Sequence, residues 1–385
     1  MGFFDFFTQK IGIDLGTSNT LVYVNGKGII VNEPSVVAIK VVSNQVCAVG
    51  NDAKAMLDRT PNTINAIRPL QNGVIADFEI TRAMIKYFIT QALNNKRFTK
   101  SNVVICVPVG VTSIEKRAVE EVAIDAGARK VKLVEEPMAA AIGAGLPVDQ
   151  AIGNLIIDIG GGTTEIAVVS LGGIVVSESL RVAGDDMDSS IKEFIKTKYK
   201  MDIGLVTAEN IKKVLGNASD GYYTNYKNTD KKDNNENDKV NLDNNEIEKE
   251  SKNKNIKADK SEKEDNVSTT TRNSDEKNSS KEMKIRGRDI VTGLPLSMTI
   301  TSDEIREAII ETINNIVSAI KRVLEKTPPE LAADLFTNGI YLTGGGALLK
   351  GLDLYIEKET GLKVRIAENP LECVALGAGK ICESL

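Results

Sequence analysis

The chemistry in this chain is concentrated in two short stretches, each opening on an aspartate and continuing through glycines and hydroxyl residues. In IGIDLGTSNTLVYVNGKG the run is Asp14, Gly16, Thr17, Ser18, Asn19, Thr20; in LIIDIGGGTTEIAVVSLGG it is Asp158, Gly160, Gly161, Gly162, Thr163, Thr164. Glycine lets main chain approach a ligand closely, and successive N–H groups in such a turn form a concave donor set for anionic oxygens. The hydroxyls of Thr17, Ser18, Thr163 and Thr164 are further donors. A carboxylate repels phosphate unless a cation lies between them, and Mg2+ is commonly held by one or two carboxylates, phosphate oxygens and retained waters. The pattern points to a Mg-nucleotide clasped from both sides, with Asp14 and Asp158 on the metal.

Each copy reads as strand, tight turn, strand, closed by glycine. One such turn could be an ordinary hairpin; two with the same Asp-x-Gly start, one in each half of the chain, point to duplication and to similar domains around a cleft. No GxxxxGK[ST] motif occurs, and the turns lead into strands, which separates them from the P-loop and the dinucleotide fingerprint. In NGIYLTGGGALLKGLDLYIEKETG the spacing predicts a strand, a turn at Gly344, Gly345 and Gly346, and a helix from Ala347 whose first N–H groups face the same ligand. Taken alone, it could be a tight strand-to-helix connection.

Composition limits the alternatives. The chain has 385 residues, enough for two domains, and a formal net charge of −5 with no basic stripe in its patterned part, so nucleic acid is not an expected partner. Cys47, Cys106, Cys373 and Cys382 lack CxxC spacing and histidine is absent, which argues against zinc sites and His-based triads. Reduced thiols, no membrane-length apolar run and no signal-peptide pattern predict a cytoplasmic protein. Residues 220–280 are mostly Asn, Lys, Asp, Glu, Ser and Thr. Such a segment cannot bury enough surface to offset its ordering entropy, and it reads as a disordered insertion in a loop.

The quoted turns resemble the two phosphate motifs and the adenosine motif of the actin, sugar kinase and heat-shock chaperone superfamily. NEPSVVAI, RPLQNGVIADFE, VVICVPVGVTSIEKRAV, EEPMAAAIGAGLP, GDDMD and IRGRDIVTGLP narrow the likeness to the MreB/Mbl family of bacterial actins, over nearly the whole chain except the insertion. The resemblance implies an α/β, actin-like two-domain ATPase: duplicated ribonuclease H-like domains around a nucleotide cleft, with a disordered insertion. The expected parts are a membrane-binding N-terminus (1–10), domain I (11–150 plus 346–385), domain II (151–345) and the insertion (220–280). It further implies ATP/ADP and Mg2+ as ligands and self-assembly, as antiparallel double filaments, at the cytoplasmic face of the membrane. The partner expected there is the cell-wall elongation machinery of a rod-shaped cell.

Site residues follow from the same likeness. Glu135 and Glu136 precede Pro137 at the start of an Ala-rich helix, whose dipole favours ionised carboxylates; either could orient water beside a γ-phosphate or simply serve as a helix-end charge. The family pattern selects Glu136, with Glu135 as alternate, and places Thr163 where the γ-phosphate is sensed. VTAENIKKVLG reads as a helix capped by Thr207; by resemblance its segment Glu209, Asn210, Ile211, Lys212 meets ribose and base, and otherwise Glu209 and Lys212 are an exposed i,i+3 ion pair. Where the family has two glycines this chain has Ala183 and Gly184, after which Asp188 is expected to start a helix near the nucleotide.

Two stretches suit a membrane surface. MGFFDFFTQK, as a helix, puts Phe3, Phe4 and Phe7 on one face with Phe6 beside them, though it could instead pack against the first strand. Phe98 sits in a basic loop with Lys96, Arg97 and Lys100 that corresponds to the family's membrane-inserting loop. The stretch 301–326 begins with a Thr301–Glu304 capping box and carries Ile305, Ile309, Ile313, Ile316, Ile320 and Leu324 on one stripe, the pattern of a core helix. A chaperone nucleotide-binding domain would need a substrate domain, for which the chain after VALGAGKI leaves no room. A sugar or acetate kinase would need a second substrate pocket with its own base, and no separate motif suggests one.

Overall fold

The computed structural model describes residues 9–94, 101–219 and 281–384. The aromatic N-terminus with Phe3, Phe4, Phe6 and Phe7, the Phe98 loop and the insertion 220–280 lie outside the described residues. Two five-stranded sheets share one topology. The first is built from β1 (Gln9–Leu15), β2 (Asn19–Val24), β3 (Gly28–Pro34), β4 (Ser101–Val107) and β5 (Ala128–Glu135), in spatial order β5-β4-β1-β2-β3. The second repeats the plan with β6 (Asn154–Ile159), β7 (Thr164–Ser170), β8 (Gly173–Leu180), β9 (Ile340–Thr343) and β10 (Val364–Ile366), in the order β8-β7-β6-β9-β10. In each, the first three strands form an antiparallel meander and the last two run parallel to the first.

The middle strand of each sheet is apolar because both of its faces are covered; all six residues of β6 are buried. On the outer face of the first sheet lie α1 (Phe78–Ala92) and α2 (Ser113–Asp125), where Met84, Phe88, Val119 and Val122 join Ile11, Ile13, Val103 and Ile105. Side chains start both helices: Asp77 accepts the Ile80 N–H at 3.0 Å, and Thr112 with Glu115 forms a capping box. The outer face of the second sheet is covered by α4 (Gly184–Tyr199), α5 (Leu205–Leu215) and α6 (Ser302–Lys326). The expected Thr301–Glu304 box starts α6, and its isoleucine stripe is buried as expected.

Between the sheets lie α3 (Glu136–Gly143) and α8 (Cys373–Glu383), with α7 (Leu352–Thr360) at the second sheet's far side. Ala139, Ala140, Ala141, Val374 and Ala378 pack on Val104 and Cys106 of the first sheet and on Ile156, Ala167 and Val169 of the second. This shared layer is thin because α3 and α8 meet backbone to backbone. A Cβ on Gly143 would stand 1.8 Å from the Cys373 carbonyl oxygen, and one on Gly377 would stand 1.8 Å from that of Ala139.

Three local expectations are corrected. Helix α5 begins at Leu205 behind Gly204, so Thr207 lies in its first turn and caps nothing; burial of Ala208, Ile211 and Leu215 extends the helix upstream of the polar signal. Asp188 sits in the second turn of α4, which already starts at Gly184. After Gly344 the chain makes a short 3-10 turn, Gly345–Leu348, and α7 starts only at Leu352, because Gly351 takes a left-handed φ of 70° that interrupts the run.

Gly377→Val should lower stability by about 3 kcal/mol or more, since the added carbons meet main chain that cannot rotate away. Thermal unfolding followed by circular dichroism checks this; a melting temperature equal to that of the wild type would mean that α3 and α8 have room to separate.

Candidate functional site

The β1–β2 and β6–β7 turns open on one cleft of about 490 Å³. Its walls include Asp14, Gly16, Thr17, Ser18, Asn19 and Glu136 from the first half, and Asp158, Gly160, Gly161, Gly162 and Thr163 from the second. Gly344, Gly345 and Gly346 form a further wall, and Glu209 and Lys212 line it from α5. The turns also interlock. A Cβ on Gly161 would lie 2.1 Å from the Ser18 Oγ, and one on Gly162 would lie 2.8 Å from the Thr17 Oγ1. Two of the three glycines are therefore bare for the opposite turn as well as for a ligand.

Hydroxyl roles divide accordingly. Thr17 Oγ1 accepts the Gly73 N–H at 3.0 Å, and Ser18 Oγ accepts from Arg68 at 3.2 Å while donating to Asp185 at 3.1 Å. Thr163 faces the cleft. Thr164, expected as another donor, does not: it is fully buried and its hydroxyl donates to the Val182 carbonyl at 2.7 Å. As the first residue of β7 it points away from the turn, by strand alternation.

Acidic groups crowd one end. Burial, then the Asp158 charge, pushes Asp14 up to about 8. Burial pushes Asp158 up to about 6 against a hydrogen bond from the Thr343 hydroxyl at 3.2 Å. Glu136, at the first position of α3 and 7 % exposed, is raised well above the usual carboxylate range by burial and then by Glu165, Asp14 and Asp158. The opposite end is basic. Burial opposes the ionisation of Glu209, but hydrogen bonds and charge from Lys213 and Lys54 hold it down to about 2. Lys212 pairs with Asp188 at 2.9 Å, which burial nevertheless raises to about 6.

Acids raised by burial, Asp14 and Glu136 also by neighbouring carboxylates, mark a place short of positive charge. Among the described residues no three Asp, Glu or Cys side chains converge as a ready cage. A cation that brings its own waters and is completed by phosphate suits that donor set, because it needs only one or two protein carboxylates.

Several candidates lie off the cleft. Glu135 ends β5 on the far side of the strand from Glu136, with Lys116 at 3.9 Å. On α5 the cleft face carries Glu209, Lys212 and Lys213, which leaves Asn210 toward solvent and Ile211 in the core. Glu209 and Lys212 do not pair with each other; Glu209 bonds Lys54 and Lys213 instead. Ala347 is fully buried. Sequence reading missed Gly73, Asp185 and Lys213, all on the cleft wall. Lys213 was accessible to it through helical spacing from Glu209, whereas Gly73 arrives only through the tertiary fold.

Two sheets of repeated topology on a shared helical layer, with the first hairpin of each turned into one cleft, define an actin-type α/β protein. The chain belongs to the MreB/Mbl family: the family model described as MreB/Mbl protein matches residues 8–258 and 252–385. It is 45% identical over 379 residues to the cell shape-determining protein Mbl of Bacillus cereus, covering 98% of this chain and 97% of that one. Against the cell shape-determining protein MreB of Escherichia coli K12 it is 44% identical over 384 residues, covering 98% and 94%. Among solved structures it resembles MreB 5 of Spiroplasma citri bound to AMPPNP, with a TM-score of 0.78, 35% identity and coverage of 98% and 96%. The MamK double helical filament gives a TM-score of 0.71 at 19% identity, over 97% and 98% of the two chains, a likeness of fold.

The pH response of the ligand-free protein should carry the mark of Asp14. Its carboxyl ionises near 3.8 when unfolded and near 8 when folded. Between those values the folded state binds more protons, so this contribution to stability is present at low pH and lost as pH rises. Asp14→Asn should therefore raise the melting temperature at pH 8 and leave it near the wild-type value at pH 4. Equal differences at both pH values in a melting series would exclude the linkage.

Proposed function

We propose that this chain is an ATP-binding, slowly hydrolysing bacterial actin that polymerises into membrane-associated filaments and organises cell-wall synthesis to maintain rod shape. The observation that carries this reading is the pair of interlocked glycine turns with their acids gathered on one cleft. MreB 5 of Spiroplasma citri, solved with AMPPNP and with ADP, supports a nucleotide as ligand, and the names of the Mbl and MreB relatives support the cell-shape role.

In this reading the main chain at Gly16 and at Gly160 to Gly162, with Thr17 and Ser18, cradles the phosphates. Asp14 and Asp158 would hold Mg2+, which when bound supplies positive charge for the phosphate oxygens. Glu209 and Lys212 meet the ribose and base, and Gly344 to Gly346 close the wall beside them. Thr163 sits beside the γ-phosphate. Glu136 orients the attacking water and takes its proton. No step is assigned to Glu135.

Residues 11–150 with 346–385 are taken as domain I and 151–345 as domain II, although α7 and β10 (Val364–Ile366), inside the first range, pack with the second sheet. Among the described residues no helix is long and apolar enough to cross a membrane. The membrane contact is assigned to residues 1–10 and to Phe98, peripherally at the cytoplasmic face, where a filament multiplies weak anchors. Further partners are other copies of the chain, as antiparallel double filaments, and the cell-wall elongation machinery.

Negative-stain microscopy on an anionic lipid monolayer tests the reading. Paired filaments are expected with Mg-ATP and not without nucleotide; monomers under both conditions, with ATP bound, would overturn it. Glu136→Ala should still bind ATP and assemble while releasing phosphate at least about 100-fold more slowly. An unchanged rate would remove Glu136 from the chemistry.

A further inference from the structure

Glu165 takes no part in the cleft wall, yet it lies directly behind it. It follows Thr163 and Thr164 along β7, stands opposite Asp158 in the strand register and is 1 % exposed. Both of its carboxylate oxygens are bonded. Oε1 accepts the Ser179 hydroxyl at 2.5 Å from β8 of its own sheet. Oε2 accepts the Val109 N–H at 3.0 Å, and Val109 belongs to the segment that leaves β4 of the other sheet.

That segment is wedged among the groups expected to act on phosphate. Val107 stands opposite Glu135 in the β4–β5 register, one residue before Glu136. Pro108 packs where a Cβ on Gly73 would be, 2.6 Å from its Cγ, and the same point is 2.9 Å from the Thr163 Cγ2. Gly73 in turn donates its N–H to Thr17. A carboxylate withdrawn from solvent with both oxygens satisfied is a stiff tie, because losing either bond leaves a buried oxygen short of a partner.

We infer that Glu165 is a positioning residue for hydrolysis: its carboxylate pins Pro108–Val109 to the second half's phosphate hairpin and so sets Glu136, one residue past the end of the neighbouring strand, against Thr163. The inference rests on the ATP-hydrolysis reading given above. Glu165 touches no reacting atom; its effect is on the spacing between a base carried by one sheet and a phosphate turn carried by the other. Displacements of about 1 Å in such a spacing can cost on the order of 100-fold in rate.

The test compares phosphate release and ATP affinity in full-length wild type, Glu165→Ala, Glu165→Gln and Ser179→Ala. Glu165→Ala should lower kcat at least about tenfold while leaving KM for ATP within about twofold. Glu165→Gln, which keeps an acceptor for the Val109 N–H, should recover most of the rate, and Ser179→Ala, which leaves that bond intact, should stay near wild type. If Glu165→Ala fails to fold, Glu165→Met fills the same space without an acceptor and takes its place. A wild-type kcat in the folded variant that lacks the acceptor overturns the inference, as does an equal loss in the Ala and Gln variants or a parallel loss of ATP affinity. Wild-type protein that binds ATP and never releases phosphate overturns the hydrolysis reading itself, and the inference with it.

Discussion

The contact on which the rest of this molecule depends is the meeting of two hairpin tips, Gly161 against Ser18 and Gly162 against Thr17, too close for any side chain at the glycines. Because the tips touch, the aspartates of the preceding strands also converge, and the Asp158 charge adds to burial in pushing Asp14 up at the same end of one cleft. A single hairpin of this kind offers main-chain donors for an anion. A facing pair adds acids, a donor set that suits the cation of the Mg-nucleotide proposed above.

Holding two tips together requires that two sheets be held at a fixed spacing. The shared helical layer does this with residues that have almost no side chain: Ala139, Ala140, Ala141 and Ala378 fill it, and Gly143 and Gly377 let α3 and α8 touch through main chain. Close packing of this kind transmits displacement because it has no slack. Helix α3 is also the helix that carries Glu136 at its first position, so the layer that spaces the sheets aims the candidate base as well.

How much of this the sequence discloses depends on the range of the contact. The hairpins and the α6 stripe are legible because they are local patterns with a period, and the repeat of Asp-x-Gly marks both copies. Thr164 was misassigned although alternation would have turned its side chain away from the turn, and Asn210 and Ile211 were grouped with Glu209 and Lys212 although helical spacing separates them into three faces. Those errors come from reading a segment where a periodicity was needed. Gly73, Asp185 and the bond between Val109 and Glu165 are different in kind: they join residues 56 to 167 positions apart and leave no local trace. The same holds for Gly143 and Gly377, whose lack of a side chain means nothing until α3 and α8 are packed.

Acids gathered from both halves leave one end of the cleft short of positive charge when no cation is present. Among the described residues the halves are tied by bonds that differ in strength for a physical reason. Lys54 with Glu209 at 3.0 Å and Arg68 with Asp185 at 3.4 Å keep part of their side chains in water, with exposures of 27% and 18% in the first pair and 27% and 37% in the second. Pairs in contact with solvent contribute about 0–1 kcal/mol and can break at little cost. The Glu165 bond to Val109 is partly buried, and breaking it would leave a carboxylate that is itself 1 % exposed without a partner. The groups behind the phosphate turns are therefore held more firmly than the pairs at the wet side of the cleft. The spacing between Glu136 and Thr163 then rests on the helical layer together with the tie whose carboxylate is withdrawn from water.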